Sequence, residues 1–181
     1  MKAIVRFAGL LVMVLIASAN QGWSQGDKKA TDSWKPSVEF TDKAPNWLLK
    51  EAKAGIKMLS DRDYLVTELP KEIVGGTYVM RDSGEYGTWL PDATLTAKKK
   101  STVYALVRVK YLGKDTFDEL AQKRFEKEGW KAVEGKVATT YPAGENWVWK
   151  AYKKGINEGP VILQLQNLVW ERKTAVLFVV K

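Results

Sequence analysis

The sequence predicts a mainly β protein: an antiparallel β-sandwich with one α-helix on a strand crossing, behind a cleaved signal peptide. Three observations predict it. Short runs rich in Val, Ile, Thr and aromatic residues recur from residue 56 to the C-terminus, broken by Gly, Pro, Asn and Asp. One segment carries both a helix start and a helix stop signal. The first 19 residues have the basic start, short apolar centre and small-residue exit of a secretory signal.

Lys2 and Arg6 open the chain with no acid between or beside them. Residues 7–16 are apolar apart from Gly9, and Ala17-Ser18-Ala19 supplies the small side chains a signal peptidase reads. An apolar run of about ten residues falls short of the ~20 that span a bilayer, so no transmembrane span is expected after cleavage. Cleavage after Ala19, or as late as Gln25, leaves one domain's worth of chain. The expected organisation is a signal peptide over 1–19, a linker and docking segment over 20–55, and a sandwich over 56–181.

The 181 residues contain no histidine and no cysteine. That excludes a Ser-His-Asp triad, a thiol nucleophile, an ordinary zinc site and any disulfide. An exported chain without disulfides suits a bacterial periplasm or exterior. Lipid anchoring through a new N-terminal cysteine is also excluded. The formal charge is +8, and the signal takes two of those positive charges with it. The remaining excess favours acidic polymers or anionic surfaces, and export argues against nucleic acid.

The elements follow in order. Asn46 to Ala52, between Pro45 and Gly55, reads as a short helix. Residues 56–59, 64–69, 76–80 and 94–97 read as strands. Lys98-Lys99-Lys100 is a solvated turn leading into the clearest strand, 102–109. Thr116 and Glu119 then make a Thr-x-x-Glu capping box. Phe117, Leu120, Ala121 and Phe125 follow at helical spacing, and Gly129 stops the helix with Trp130 packing back on it. Strands are expected over 131–134, 136–140, 147–152, 160–165 and 174–180, with a loop over 141–146. The last strand is apolar throughout, as a central strand buried on both faces would be.

A family pattern runs through these pieces. Asp61-Arg62-Asp63-Tyr64, Glu68-Leu69-Pro70, Gly75-Gly76-Thr77 and Thr102-Val103-Tyr104 come in order. Tyr152-Lys153-Lys154 and Gly159-Pro160-Val161-Ile162-Leu163 close the series. Over residues 56–181 this resembles a bacterial secreted β-sandwich module of the galactose-binding-domain-like, jelly-roll type. The resemblance implies a fold shared with modules attached to carbohydrate-active enzymes and with stand-alone exported proteins. The helix over 116–129 is longer than the crossing of that pattern.

Eight tryptophans are the outlier in the composition. Indole faces stack on apolar faces of sugar rings, so a ligand-binding tryptophan belongs on a loop or an open strand face. Trp89, with Tyr86 close by, lies in a Gly- and Pro-bounded loop. Trp147 and Trp149 share one strand face by alternation. Trp89, Tyr86 and Trp147 are the candidate sugar platform, with Trp149 beside Trp147, and Arg81 and Asp82 as hydroxyl partners. Trp47, Trp130 and Trp170 read as packing residues.

Asp61 and Asp63 point to one side of an extended chain and could hold calcium with loop carbonyls. The alternative is that Arg62 pairs with a carboxylate while Asp61 caps a turn. No other cofactor is implied. The expected function is an exported non-catalytic module that binds polysaccharide or another glycan through exposed aromatics. The rival is a protein-interaction or envelope structural module, in which residues 34–40 dock on a protein partner or on the sandwich itself. A third reading is a carboxylate-based glycan-active enzyme, although no acidic pair stands out along the chain.

Overall fold

The computed structural model describes residues 34–42, 47–82, 93–140, 148–163 and 176–181. The expected signal peptide, Tyr86, Trp89, the 141–146 loop, Trp147 and Trp170 lie outside those residues. Eleven strands and one helix are described: β1 Val38–Asp42, β2 Leu48–Glu51, β3 Val66–Glu68, β4 Thr77–Met80, β5 Ala93–Ala97, β6 Ser101–Tyr111, β7 Lys114–Asp115, α1 Glu119–Lys127, β8 Lys131–Thr139, β9 Val148–Ile156, β10 Gly159–Leu163 and β11 Val176–Val180.

These strands make two antiparallel sheets, the β-sandwich that the alternation of strand runs and turns implies. The smaller has the order β1-β5-β10. The larger has the order β2-β4-β11-β6-β9-β8-β3, with β7 folded back on the end of β6. β11 sits between β4 and β6, and all five of its residues are buried. A central strand covered on both faces has no polar position to spare, which is why its sequence is apolar throughout.

The larger sheet is the middle layer. On one face Val79, Val103, Ala105, Val107, Val176, Phe178 and Tyr152 meet Val38 and Leu95 of the small sheet and Phe117 and Phe125 from the helix region. On the other face Tyr78, Tyr104, Leu106, Trp149, Leu177 and Val179 meet Met58, Leu59, Val66 and Ile73. The Tyr78 hydroxyl donates to the Met58 carbonyl at 2.6 Å, tying the irregular 52–65 segment to the sheet.

Several elements differ from the sequence expectation. Residues 48–51 form edge strand β2 on β4, not a short helix. Leu, Lys, Glu and Ala favour a helix in isolation. Here burial of Trp47 and Ala52 on either side and pairing with β4 outweigh that weak preference. β1 and β2 therefore belong to the sheets, although residues 20–55 read as linker and docking segment. Residues 56–59 make a single bridge, Lys57 to Leu65, instead of a strand. The two strands expected over 131–140 are one, β8. Its register shifts between Val133 and Val137, around Gly135 at φ 109°.

The helix is where it was expected, but its cap is not. Asp118 is the N-cap, and its Oδ1 accepts from the Ala121 N–H at 2.9 Å. The Thr116 hydroxyl instead donates to the Arg108 carbonyl at 2.7 Å. Gly129 stops the helix at φ 86°, and the Trp130 ring packs 5.4 Å from that of Phe125. Leu120 is 59% exposed, off the buried stripe of Phe117, Ala121 and Phe125. Asp118→Ala lowers stability by about 1 kcal/mol, or the melting midpoint by about 2–4 °C, while Asp118→Asn retains most of it. Thermal melts of the two variants check this.

A polar clamp holds the 70–76 turn to the sheet. Glu72 accepts from Lys153 Nζ at 2.8 Å and from the Tyr104 hydroxyl at 3.4 Å. Lys181 Nζ donates to the carbonyls of Glu72 and Val74 at 3.0 and 2.7 Å. Hydrogen bonding to Glu72 raises the Lys153 pKa above its ordinary 10.5. Burial, then Glu72, raises that of Tyr104 above 10.0. Both folded values exceed the unfolded ones, so the stabilisation is complete below about pH 10 and is lost as pH climbs through the folded values. Melts of Glu72→Gln against the parent should show a constant gap from pH 7 to about pH 9 that closes above about pH 10.

Candidate functional site

Strand register places the candidate residues that are described at one end of the sheets. β4 leaves that end at Met80, where Arg81 Nη2 donates to the Val176 carbonyl at 3.2 Å. The Ser60 N–H donates to the Arg81 carbonyl at 2.9 Å, which brings the Asp61–Asp63 turn to the same place. β9 enters there at Val148, opposite Lys110, and β8 departs there at Thr139. The Thr140 N–H donates to the Leu65 carbonyl at 2.8 Å. In the small sheet, Ala93 and Leu163 pair at the end opposite the 98–100 turn. The described strand ends flanking residues 83–92, 141–147 and 164–175 therefore share one end of the sandwich.

The side chains there differ in character. Arg81 is 4% exposed and acts as a strut between β4 and β11. Asp82 beside it is half-buried. Asp63 is wholly exposed and paired with Lys57 at 2.8 Å. That hydrogen bond holds its carboxyl below the usual range. Asp61 meets Arg62 at 3.5 Å. Arg62 thus pairs with a carboxylate, as the alternative to calcium expected, and Asp63 is held by Lys57. Among the described residues no group of three or more Asp or Glu gathers as a metal site would.

Trp47, Trp130 and Trp149 are 2%, 7% and 6% exposed. Trp149, weighed with Trp147 as a platform, lies in the core because β9 packs that face under Val66 and Val137. Its indole N–H has no hydrogen-bond partner among the described residues.

Sequence reasoning missed the aromatic that the described surface does present at this end. Tyr111 closes β6 and is 38% exposed, and the Arg108 guanidinium carbon lies 4.5 Å from its ring centroid. A β-bulge between Arg108 and Lys110 brings both side chains to one face. Strict alternation would have put them on opposite faces, which is why the pair was illegible. The Leu112-Gly113 step after a long strand run was the available turn signal.

No protein-family model and no curated sequence matches the chain. Its fold is similar to part of a β-glucuronidase from glycoside hydrolase family 2, with TM-score 0.56 and 17% identity, over 81% of this chain and 14% of that one. It is similar also to part of a GH138 enzyme targeting pectin rhamnogalacturonan II, with TM-score 0.52 and 14% identity, over 80% of this chain and 16% of that one. The chain thus spans about a seventh of the length of each of these larger proteins. At such identities the likeness is one of fold: a mainly β chain whose architecture is similar to part of two larger carbohydrate-active proteins.

Proposed function

We propose that the chain is an exported, non-catalytic β-sandwich module of jelly-roll type that binds carbohydrate through aromatic residues at one end of its sheets. The observation that carries this reading is the extent of the fold likeness. About four-fifths of this chain corresponds to about a seventh of two larger proteins, whose names are those of a β-glucuronidase and a pectin-targeting enzyme. A module of about a seventh of such a protein's length suits attachment to substrate better than the whole of its chemistry. The basic, apolar and small-residue opening of the sequence supports export to a periplasm or exterior.

Chemistry at the surface supports the same reading. Three of the four described tryptophans are spent on the core, and half-buried Trp34 is tied by its indole N–H to the Gly75 carbonyl at the opposite end of β4, so platform work falls to Trp89, Tyr86, Trp147 and the exposed Tyr111. Arg81 and Asp82 stand by as polar neighbours. Asp61, Asp63, Glu68 and Glu72 each have a Lys or Arg partner, which suits a structural surface better than a carboxyl pair for glycoside hydrolysis. Calcium at Asp61 and Asp63 would have to displace Lys57, and a melt in calcium against chelator reads it.

A glycan array tests the reading with the purified chain. Binding that Trp89→Ala and Trp147→Ala reduce without lowering the melting midpoint supports it. An array with no bound glycan removes it. The second reading, a protein-interaction module, is favoured by Leu48, 39% exposed on edge strand β2, whose outer edge pairs with no strand among the described residues. One dominant partner in a pull-down, insensitive to added sugar, would establish it instead.

A further inference from the structure

The end of the sandwich opposite the candidate site gathers lysines from three separate segments. The 98–100 turn joins β5 to β6, and the Lys98 N–H donates to the Ser37 carbonyl at 3.1 Å, which brings the segment before β1, with Lys35, alongside. Thr102 and Lys181 exchange backbone hydrogen bonds at 2.6 and 2.9 Å. The bonds from Lys181 Nζ to the Glu72 and Val74 carbonyls then hold the 70–76 turn, with Lys71, at the same end.

Lys35, Lys71, Lys98, Lys99 and Lys100 are all exposed. The acids nearby do not balance them. Glu51 is taken by Lys53 and Glu72 by Lys153, and Lys181 is offset by its own carboxylate. Glu39 meets Lys98 at 3.7 Å. Glu158 lies in the β9–β10 turn, which register places beside the 98–100 turn, and makes no ion pair among the described residues. Five lysines against Glu39 and Glu158 leave an excess of three positive charges. Two apolar groups stand among them. Val74 is 43% exposed, and the half-buried Trp34 ring is held beside it by the indole bond to the Gly75 carbonyl.

The kind of cation narrows the partner. All five are lysines, whereas the described arginines, Arg62, Arg81, Arg108 and Arg124, lie on other segments. A shaped carboxylate or phosphate is matched best by a guanidinium fork. Compact ammonium groups on separate chain tips, with a tryptophan and a valine between them, suit a plane of diffuse negative charge bordered by an apolar layer.

We propose that this end rests on an anionic phospholipid bilayer. The lysines are drawn to its surface charge, and Trp34 and Val74 sit at the headgroup level. No helix among the described residues is long and apolar enough to cross a membrane, so the contact they make is peripheral. The end proposed for sugar then faces away from the lipid. The two proposals concern opposite ends, and this one does not depend on the carbohydrate reading.

The test measures co-sedimentation with mixed phosphatidylglycerol–phosphatidylcholine vesicles, using pure phosphatidylcholine vesicles and soluble polygalacturonate as parallel probes. The chain used begins at Asn20, so that the apolar run over 7–16 cannot itself enter the bilayer. Mixed vesicles bind it, phosphatidylcholine does not, and binding falls as salt rises. Lys99→Gln with Lys100→Gln weakens binding by about tenfold or more. Lys110→Gln with Lys114→Gln removes the same charge at the other end and changes binding less than about twofold. Glu158→Gln strengthens binding severalfold, a gain that a lysine turn serving only solubility would not produce. Melts of each variant check that the fold is kept. Equal losses in the two lysine pairs overturn the proposal, because net charge alone would then explain binding. Unchanged binding in both Lys99–Lys100 and Glu158 variants overturns it, as does tighter binding of polygalacturonate than of mixed vesicles. A chain that leaves the vesicles unbound overturns it too, while a positive glycan array would leave the carbohydrate reading standing.

Discussion

Phe178→Ala costs about 3–5 kcal/mol, the range for removing a fully packed aromatic side chain. Phe178 is 3% exposed and sits at the middle of β11, flanked by Ala105 of β6 and Val79 of β4. Its ring fills the layer between the large sheet and the small one, and the small Ala105 beside it leaves no neighbour able to expand into the void. Leu177 is 2% exposed and points to the opposite face, so Leu177→Ala costs about 2–5 kcal/mol by the same mechanism. Against the ~5–15 kcal/mol typical of a domain, either change takes a large share of total stability. Urea denaturation of both variants checks this. A strand covered on one face would lose stability at one of the two positions and little at the other, and that outcome would contradict the three-layer packing.

Phe125→Ala costs a similar ~3–5 kcal/mol and should detach the helix. Phe125 is the one fully buried residue of α1. Its ring lies 5.0 Å from Phe117, 5.2 Å from Tyr152 and 5.4 Å from Trp130, so a single truncation removes three aromatic contacts. A nine-residue helix is too short to persist without that packing. Leu120→Ala on the same helix stays within about 0.5 kcal/mol, because Leu120 is 59% exposed. Helical circular dichroism with melts of the two variants separates them. Equal losses at 120 and 125 would mean that α1 packs through a wider face than the one described.

The contrast between those two residues shows how much of the fold the sequence carried. Spacing placed Phe117, Ala121 and Phe125 on one stripe, and the helix indeed packs there. It also placed Leu120 on that stripe, since an apolar residue one turn along looks the same whether or not a partner exists to cover it. The strands β4, β5, β6, β9, β10 and β11 were legible because each pairs a β-branched or aromatic run with a turn signal. β2 was not, because Leu-Leu-Lys-Glu has no strand preference of its own and becomes a strand by pairing with β4. The N-cap was off by two residues because Thr116 and Asp118 are both good caps, and the nearby Arg108 carbonyl claims the threonine hydroxyl.

The candidate site was less legible than the fold. Asp61–Asp63 and Arg81–Asp82 are about twenty positions apart, and the Ser60-to-Arg81 hydrogen bond helps bring them to one end. Tyr111 beside Arg108 depends on a bulge that alternation cannot anticipate.

By itself the sequence determined the chemistry this protein lacks and the class of its fold. The absence of imidazole and thiol, and the recurrence of strand-forming runs, are local properties that no packing can change. Tertiary structure alone decided which aromatics are sealed, which cap holds the helix and which residues meet at the end of the sheets. Those outcomes turn on register and burial, which arise only when segments distant in the chain compete for the same neighbours.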